Sequence, residues 1–437
     1  MPDQLAIRGG EKMVTTESPA WPKFSEEDVA AAVDALRHAA AGERDYISAS
    51  YGGQGLEPLE KSWAGYLGVG YVVGTNSGCA AIHIGLMAAG VKAGDEVITS
   101  PHTWGQTVSP ILQTNAIPVF ADIDAQTSNL NPQSIEAQIS PYTTAILVPH
   151  LFGGPAKMDE ISAIAKKHGL AIVEDCAQSD GAGYQGVKVG AWGDLGAFSI
   201  GSGKNLAAGD GGMVSTDDER LYELAILYGH HPSRQKRHLK NPALREYIDS
   251  CCYTYRMHPM SAVIANAQLP QLDEKNAWRR RNSEKLSGLL DGVAGISVPK
   301  PYEGAEHVYH LYAPTYNPDD MDGLQREVYV AALNAEGVGV GSYVGTPIYM
   351  RSRYQEREYF WGGGLPWSLG KRDVVYREGD CPVAEEQCKR ELIMGGASWY
   401  EDCTVHIEQI AEAFKKVVDN LADLKDNEEK LLRVAGP

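Results

Sequence analysis

Several things are missing from this chain of 437 residues, and each absence narrows the field. Its seven cysteines, Cys79, Cys176, Cys251, Cys252, Cys381, Cys388 and Cys403, are odd in number and form no C-x-x-C pair. With no stretch of signal-peptide character, they are expected to be reduced thiols in a cytoplasm. Positive charge is scarce: 39 Lys and Arg stand against 57 Asp and Glu, a formal net charge of -18. That balance argues against nucleic acid or an anionic membrane as a partner. A phosphorylated ligand must then be met by locally placed Arg, Lys or helix N-termini. No apolar run approaches the length of a membrane span. His230 with His231, and His307 with His310, lack the second ligand cluster of a metal site, so no metal is expected. Internal repeats are absent as well.

What is present points to one large and one smaller domain, since 43% of the residues are hydrophobic. After a polar start, residues 1–24 read as a flexible N-terminal arm. Ser25 followed by Glu26, Glu27 and Asp28 caps a helix. From there apolar strands over 71–74, within 92–100 (a turn and a strand), 117–123, 145–149 and 170–173 alternate with helical patterns over 56–67, 80–89, 131–139 and 158–168. Such alternation predicts an α/β fold whose mainly parallel sheet is covered on both faces, over residues 25–285. Strands over 296–301, 310–315 and 338–344, with helices over 324–336 and 405–421, predict a small C-terminal α+β domain over 286–437.

Three local patterns carry chemistry. First, the strand over 170–173 ends in Glu174 and Asp175, and a Gly/Ser turn further on carries one lysine, Lys204. A strand-end carboxylate and a turn lysine are what pyridoxal phosphate chemistry requires. The amine forms the Schiff base, and the aspartate holds the pyridinium proton so that the ring accepts electrons. Second, Ser77-Gly78-Cys79 joins a strand directly to a helix, whose exposed N–H groups and positive end can hold an anion. Third, Trp104 follows another strand end. Gly181 to Gly186 matches G-x-G-x-x-G, but it neither follows a strand directly nor opens a helix, so it carries no dinucleotide reading.

The motifs Glu174-Asp175-Cys176-Ala177-Gln178, Phe198-Ser199-Ile200 and Lys204 to Gly212 (KNLAAGDGG) resemble those of the DegT/StrS-type sugar and cyclitol aminotransferases. These form a branch of the PLP fold type I enzymes, which are aspartate aminotransferase-like. The resemblance implies pyridoxal 5'-phosphate as cofactor, with Lys204 carrying it and moving the proton, and Asp175 on the ring nitrogen. It also implies Trp104 stacked on the ring, Gln178 near the ring hydroxyl, and Ser77, Gly78, Cys79 and Ser199 around the phosphate. Tyr253-Thr254-Tyr255-Arg256-Met257 matches the family's Y-N-Y-R-M, whose Asn reaches the neighbouring subunit's phosphate. That implies a homodimer with shared sites and Thr254 as a cofactor contact. Two departures stand out: Cys79 replaces a threonine, and Thr254 replaces that Asn.

The implied reaction moves an amino group from glutamate or glutamine to a keto-sugar or keto-cyclitol. An elimination enzyme like the aminohydroxybenzoate synthases is the alternative, but those tend to read EDCAH where Gln178 stands here. A non-catalytic PLP-binding regulator is the third reading. Two stretches stay open: the basic 230–246 segment, a solvated or substrate-facing loop, and the aromatic 351–380 segment, a lid or a surface insertion.

Overall fold

The computed structural model describes residues 4–250, 252–357 and 362–435. Cys251, residues 1–3 of the N-terminal arm and residues 358–361 of the aromatic segment lie outside the described residues. The core is a sheet of β1 (Tyr71–Thr75), β2 (Glu96–Thr99), β3 (Ile117–Phe120), β4 (Thr143–Pro149), β5 (Ala171–Asp175), β6 (Leu195–Ser199) and β7 (Gly212–Thr216). Its spatial order is β1-β7-β6-β5-β4-β2-β3. Only β7 runs against its neighbours; β6-β5-β4-β2-β3 pair in parallel.

Alternate residues on these strands enter two different cores. Val73, Ala197 and Val214 join one apolar cluster, while Val72, Phe198 and Met213 join another. Burial on both faces is why the strands read as nearly continuous apolar runs. Polar side chains on such a sheet gather mainly at the strand ends.

A further cluster forms around Leu286, Tyr312, Val328, Ile407 and Phe414, built on the helices Leu272–Leu290, Arg326–Ala335 and Thr404–Asp419. Its strands are shorter than expected. Ile296–Ser297 pairs with Thr315–Tyr316, and the strand expected over 338–344 shrinks to one bridge between Gly341 and Ile393.

Three expectations change on contact with the rest of the chain. The arm expected to be flexible is tied down. Leu5 and Val14 join the cluster just described, and the buried Glu336 accepts from the N–H groups of Ala6 (2.8 Å) and Met13 (2.9 Å). A buried carboxylate that needs donors orders a backbone that needs acceptors.

The basic 230–246 segment is not a solvated loop throughout. Its first half forms the helix Pro232–His238, where Arg234 is buried on Glu60 at 2.5 Å and Gln235 caps Leu227 and His230 carbonyls. The described part of 351–380 packs on the outer edge of the sheet. Tyr376 donates to the Pro118 carbonyl of β3 (2.7 Å), Trp367 donates to Tyr376 (2.9 Å), and Arg372 forks onto Glu96. It closes an exposed edge, which a sheet must cover in some way.

Candidate active site

Eight of the nine residues singled out from the sequence line one cavity of about 360 Å³: Ser77, Gly78, Cys79, Trp104, Asp175, Gln178, Ser199 and Lys204. They come from the carboxyl ends of β1, β2, β5 and β6 and from the turn after β6. Thr254 does not line it.

The floor of the cavity is set by close backbone approach. Ser77 caps the helix Gly78–Ala88, its hydroxyl accepting from the Ala80 N–H at 3.1 Å. That leaves the N–H groups of Gly78 and Cys79 at the open end of the helix. A Cβ on Gly78 would lie 2.8 Å from the Ser199 Cβ, and one on Gly212 would lie 2.4 Å from the Ser77 carbonyl oxygen. Glycine at both positions lets the end of β6, the start of β7 and the cap meet around a small space that offers N–H groups, two hydroxyls and a thiol. Burial pushes the Cys79 thiol up to about 11, so it faces this space neutral. The donor set suits a phosphate dianion.

Asp175 is buried at the other end. Thr107 donates to its Oδ2 at 2.7 Å and the Ala177 N–H donates to Oδ1 at 3.1 Å. Burial raises the proton affinity of this carboxyl, and the two hydrogen bonds only partly oppose that. No cation lies within ion-pair distance of it among the described residues. Lys204 sits in a turn closed by its own N–H on the Gly201 carbonyl at 2.9 Å. Its amine makes no hydrogen bond or ion pair among the described residues. Burial lowers the affinity of this amine for a proton, while Asp175 and Asp180 pull the other way. A desolvated amine and a buried carboxylate without a cation, both on the cavity that holds the anion cradle, fit pyridoxal phosphate: aldehyde, ring nitrogen and phosphate each find a counterpart.

Trp104 stands at the N-cap of the helix Gly105–Gln113, lines the cavity and is 52% exposed. Gln178 is fixed from both sides: its carbonyl accepts from the Phe152 N–H (2.9 Å) and its amide donates to the Tyr343 hydroxyl (2.6 Å). His150, Glu174 and Cys176 cluster nearby with their donor atoms within 4.8 Å of one another. Both nitrogens of His150 and both oxygens of Glu174 already have hydrogen-bond partners, which makes this a strut beneath β5.

Thr254 lies on the surface with φ of 56°, the left-handed region. A β-branched residue is strained there, whereas the Asn of the related motif would be at ease. Sequence reasoning missed Thr107 and Tyr343. Thr107 follows Trp104 by one helical turn, a spacing that could have flagged it. Tyr343 stands 165 residues from Gln178 and carries no local signal.

The DegT/DnrJ/EryC1/StrS aminotransferase family profile matches residues 42–368. The chain is 34% identical over 438 residues to an L-glutamine:2-deoxy-scyllo-inosose aminotransferase of Streptomyces fradiae, covering 97% of this chain and 100% of the relative. It is 36% identical over 343 residues to a "pleiotropic regulatory protein" of Geobacillus stearothermophilus, covering 78% and 83%. Among solved structures, the aminotransferase from Psychrobacter cryohalolentis superposes with a TM-score of 0.78 at 27% identity, covering 93% of this chain and all of that one.

Proposed function

The chain belongs to the DegT/DnrJ/EryC1/StrS aminotransferase family and is a pyridoxal-phosphate-dependent sugar or cyclitol aminotransferase; on that premise we propose that Lys204 and Asp175 are its catalytic pair, glutamine its donor and a keto-cyclitol its acceptor. The observation that carries the reading is the partnerless Lys204 amine sharing one cavity with the buried Asp175. When bound, pyridoxal phosphate supplies a carbonyl that condenses with amines and a ring that accepts an electron pair. Asp175, whose proton affinity burial raises against the opposing pull of Thr107, Ala177 and Lys204, would face the ring nitrogen and keep its proton there. The Lys204 amine, on the same cavity, would carry a proton away from the donor's α-carbon. Gly78, Cys79, Ser77 and Ser199 would hold the phosphate, Trp104 would orient the ring, and Gln178 would serve the ring hydroxyl. The relative matched along its whole length supports glutamine and a cyclitol ketone.

Titrating the loaded enzyme with glutamine should discharge its visible absorption, and adding an inosose should restore it. A spectrum indifferent to glutamine would remove the donor assignment. Restoration by nucleotide-linked keto-sugars but not by inososes would move the acceptor to the sugar side. A purely regulatory role, raised by the name of the Geobacillus relative, requires that no donor discharge the cofactor at all.

The reading extends to a homodimer with shared sites. Trp104 at the cavity and Tyr253 beside Thr254 are 52% and 53% exposed, and large apolar side chains so placed suit an interface. Arg256, bridged to Thr75, brings the 253–256 motif to the end of β1. Lys204→Ala and Arg256→Ala proteins, each inactive alone, are expected to recover about a quarter of parental activity when co-refolded in equal amounts. Half of the dimers are then mixed, and one site in each is intact. Proven heterodimers without activity would show that the sites are not shared. The six described cysteines are all free thiols, which supports a cytoplasmic location. Among the described residues no helix is long and apolar enough to cross a membrane.

A further inference from the structure

The turn that presents Lys204 is soft in itself. Gly201, Ser202 and Gly203 precede the lysine, and a Cβ on Gly203 would meet nothing within 4 Å. Within the turn the Lys204 backbone is held by its N–H on the Gly201 carbonyl, and its carbonyl is held from outside.

Two groups do so from opposite sides. The indole N–H of Trp21 donates to the Lys204 carbonyl at 2.9 Å. On the other side the next residue, Asn205, is buried, and its amide donates to the Asn276 side-chain oxygen at 3.1 Å and to the Val308 carbonyl at 2.9 Å. Arg279 joins the two sides. Its guanidinium lies 4.6 Å from the Trp21 ring centre and donates to the same Asn276 oxygen at 2.8 Å. The result is a closed ring of contacts: Lys204 carbonyl, Trp21, Arg279, Asn276, Asn205.

This ring is anchored in the C-terminal part of the chain. Arg279 also donates to the Ala397 carbonyl at 2.9 Å. Tyr400 packs 4.9 Å from Trp21, and its hydroxyl donates to the Ala20 carbonyl at 3.1 Å. Ser18 and Ser398 hydroxyls meet at 2.8 Å. The N-terminal segment is thus a strap that runs from Glu336 across residues 397–400 to the lysine turn.

We propose that Trp21 is a positioning residue for Lys204, holding the lysine's carbonyl through its indole N–H so that the amine keeps one station in the cavity. The inference rests on Lys204 being the residue that takes the cofactor. The physical case is that misplacing a reacting group by about 1 Å costs on the order of 10²-fold in rate, and a Gly/Ser turn closed by the Lys204 N–H leaves the lysine's carbonyl to be fixed from outside.

Full-length, cofactor-loaded Trp21→Phe protein provides the test, beside the parent. Borohydride reduction and peptide mapping of the parent come first; an adduct on another lysine overturns both the Lys204 reading and this one. With the adduct on Lys204, Trp21→Phe is expected to lower kcat roughly three- to tenfold, the worth of one hydrogen bond, with KM little changed. It should also displace the pH midpoint of the visible absorption of the lysine-bound cofactor. A merely structural tryptophan would lower the unfolding temperature and leave that midpoint in place. An unmoved midpoint with parental kcat overturns the proposal while leaving Lys204 in its role. If Trp21→Phe is unstable, the isosteric benzothiophene analogue at position 21 makes the same comparison, because it keeps the ring and loses only the N–H.

Discussion

Lys204→Ala is expected to give a folded protein that binds pyridoxal phosphate without holding it covalently and that loses turnover by at least about 10³-fold. Fold should survive because the amine has no hydrogen-bond or ion-pair partner among the described residues, so its removal strands nothing. Burial already disfavours its charged form, and deleting it relieves that cost. Binding should survive because the cradle at Ser77, Gly78, Cys79 and Ser199, the face of Trp104 and the carboxylate of Asp175 are untouched. Chemistry should not survive, since among the described residues no second lysine lines the cavity to carry the proton. Borohydride should fix the cofactor to the parent at Lys204 and leave the variant unlabelled. Labelled variant protein, or parental turnover, would show that another amine does the work.

Asp175→Asn has the next largest expected effect, a fall of about 10²–10³-fold in kcat with the fold retained. An amide has the shape of the carboxylate, and Thr107 at 2.7 Å can still donate to it. It cannot neutralise a protonated ring nitrogen. The stability of the cofactor-free protein gives an independent reading, and its sign follows from the raised proton affinity of Asp175. The native state binds this proton more tightly than the unfolded chain, so Asp175 lowers stability as pH rises above the ordinary carboxylate range. Cofactor-free Asp175→Asn should therefore unfold at or above the parental temperature at pH 7–8, with the advantage shrinking toward pH 4. A clear loss of stability at pH 8 would mean that a cation already pairs with Asp175 in the free protein. Parental kcat would mean that some other group holds the ring proton.

Both variants concern residues that were legible from the chain alone, and the reason is locality. A strand that ends in Glu174-Asp175, a cap of Ser77-Gly78-Cys79 and a turn around Lys204 each declare themselves within ten residues. A parallel sheet then delivers strand ends to one side, so the gathering of these motifs on one cavity was implied once strands and helices were seen to alternate. What the chain alone could not reveal depends on partners far apart in sequence. The N-terminal arm is ordered because Glu336, 330 residues beyond Ala6, needs donors for a buried carboxylate. Arg234 leaves the solvent because Glu60 waits inside, 174 residues earlier. The aromatic segment covers a sheet edge because Pro118 offers an unpaired carbonyl to Tyr376. Trp21 reaches the lysine's carbonyl while packed against Arg279 and Tyr400, which lie more than 250 residues further on. Composition and periodicity report which face of an element is apolar; they are silent on which buried charge will meet which donor, because that choice is made when distant elements pack and each desolvated group must find its partner.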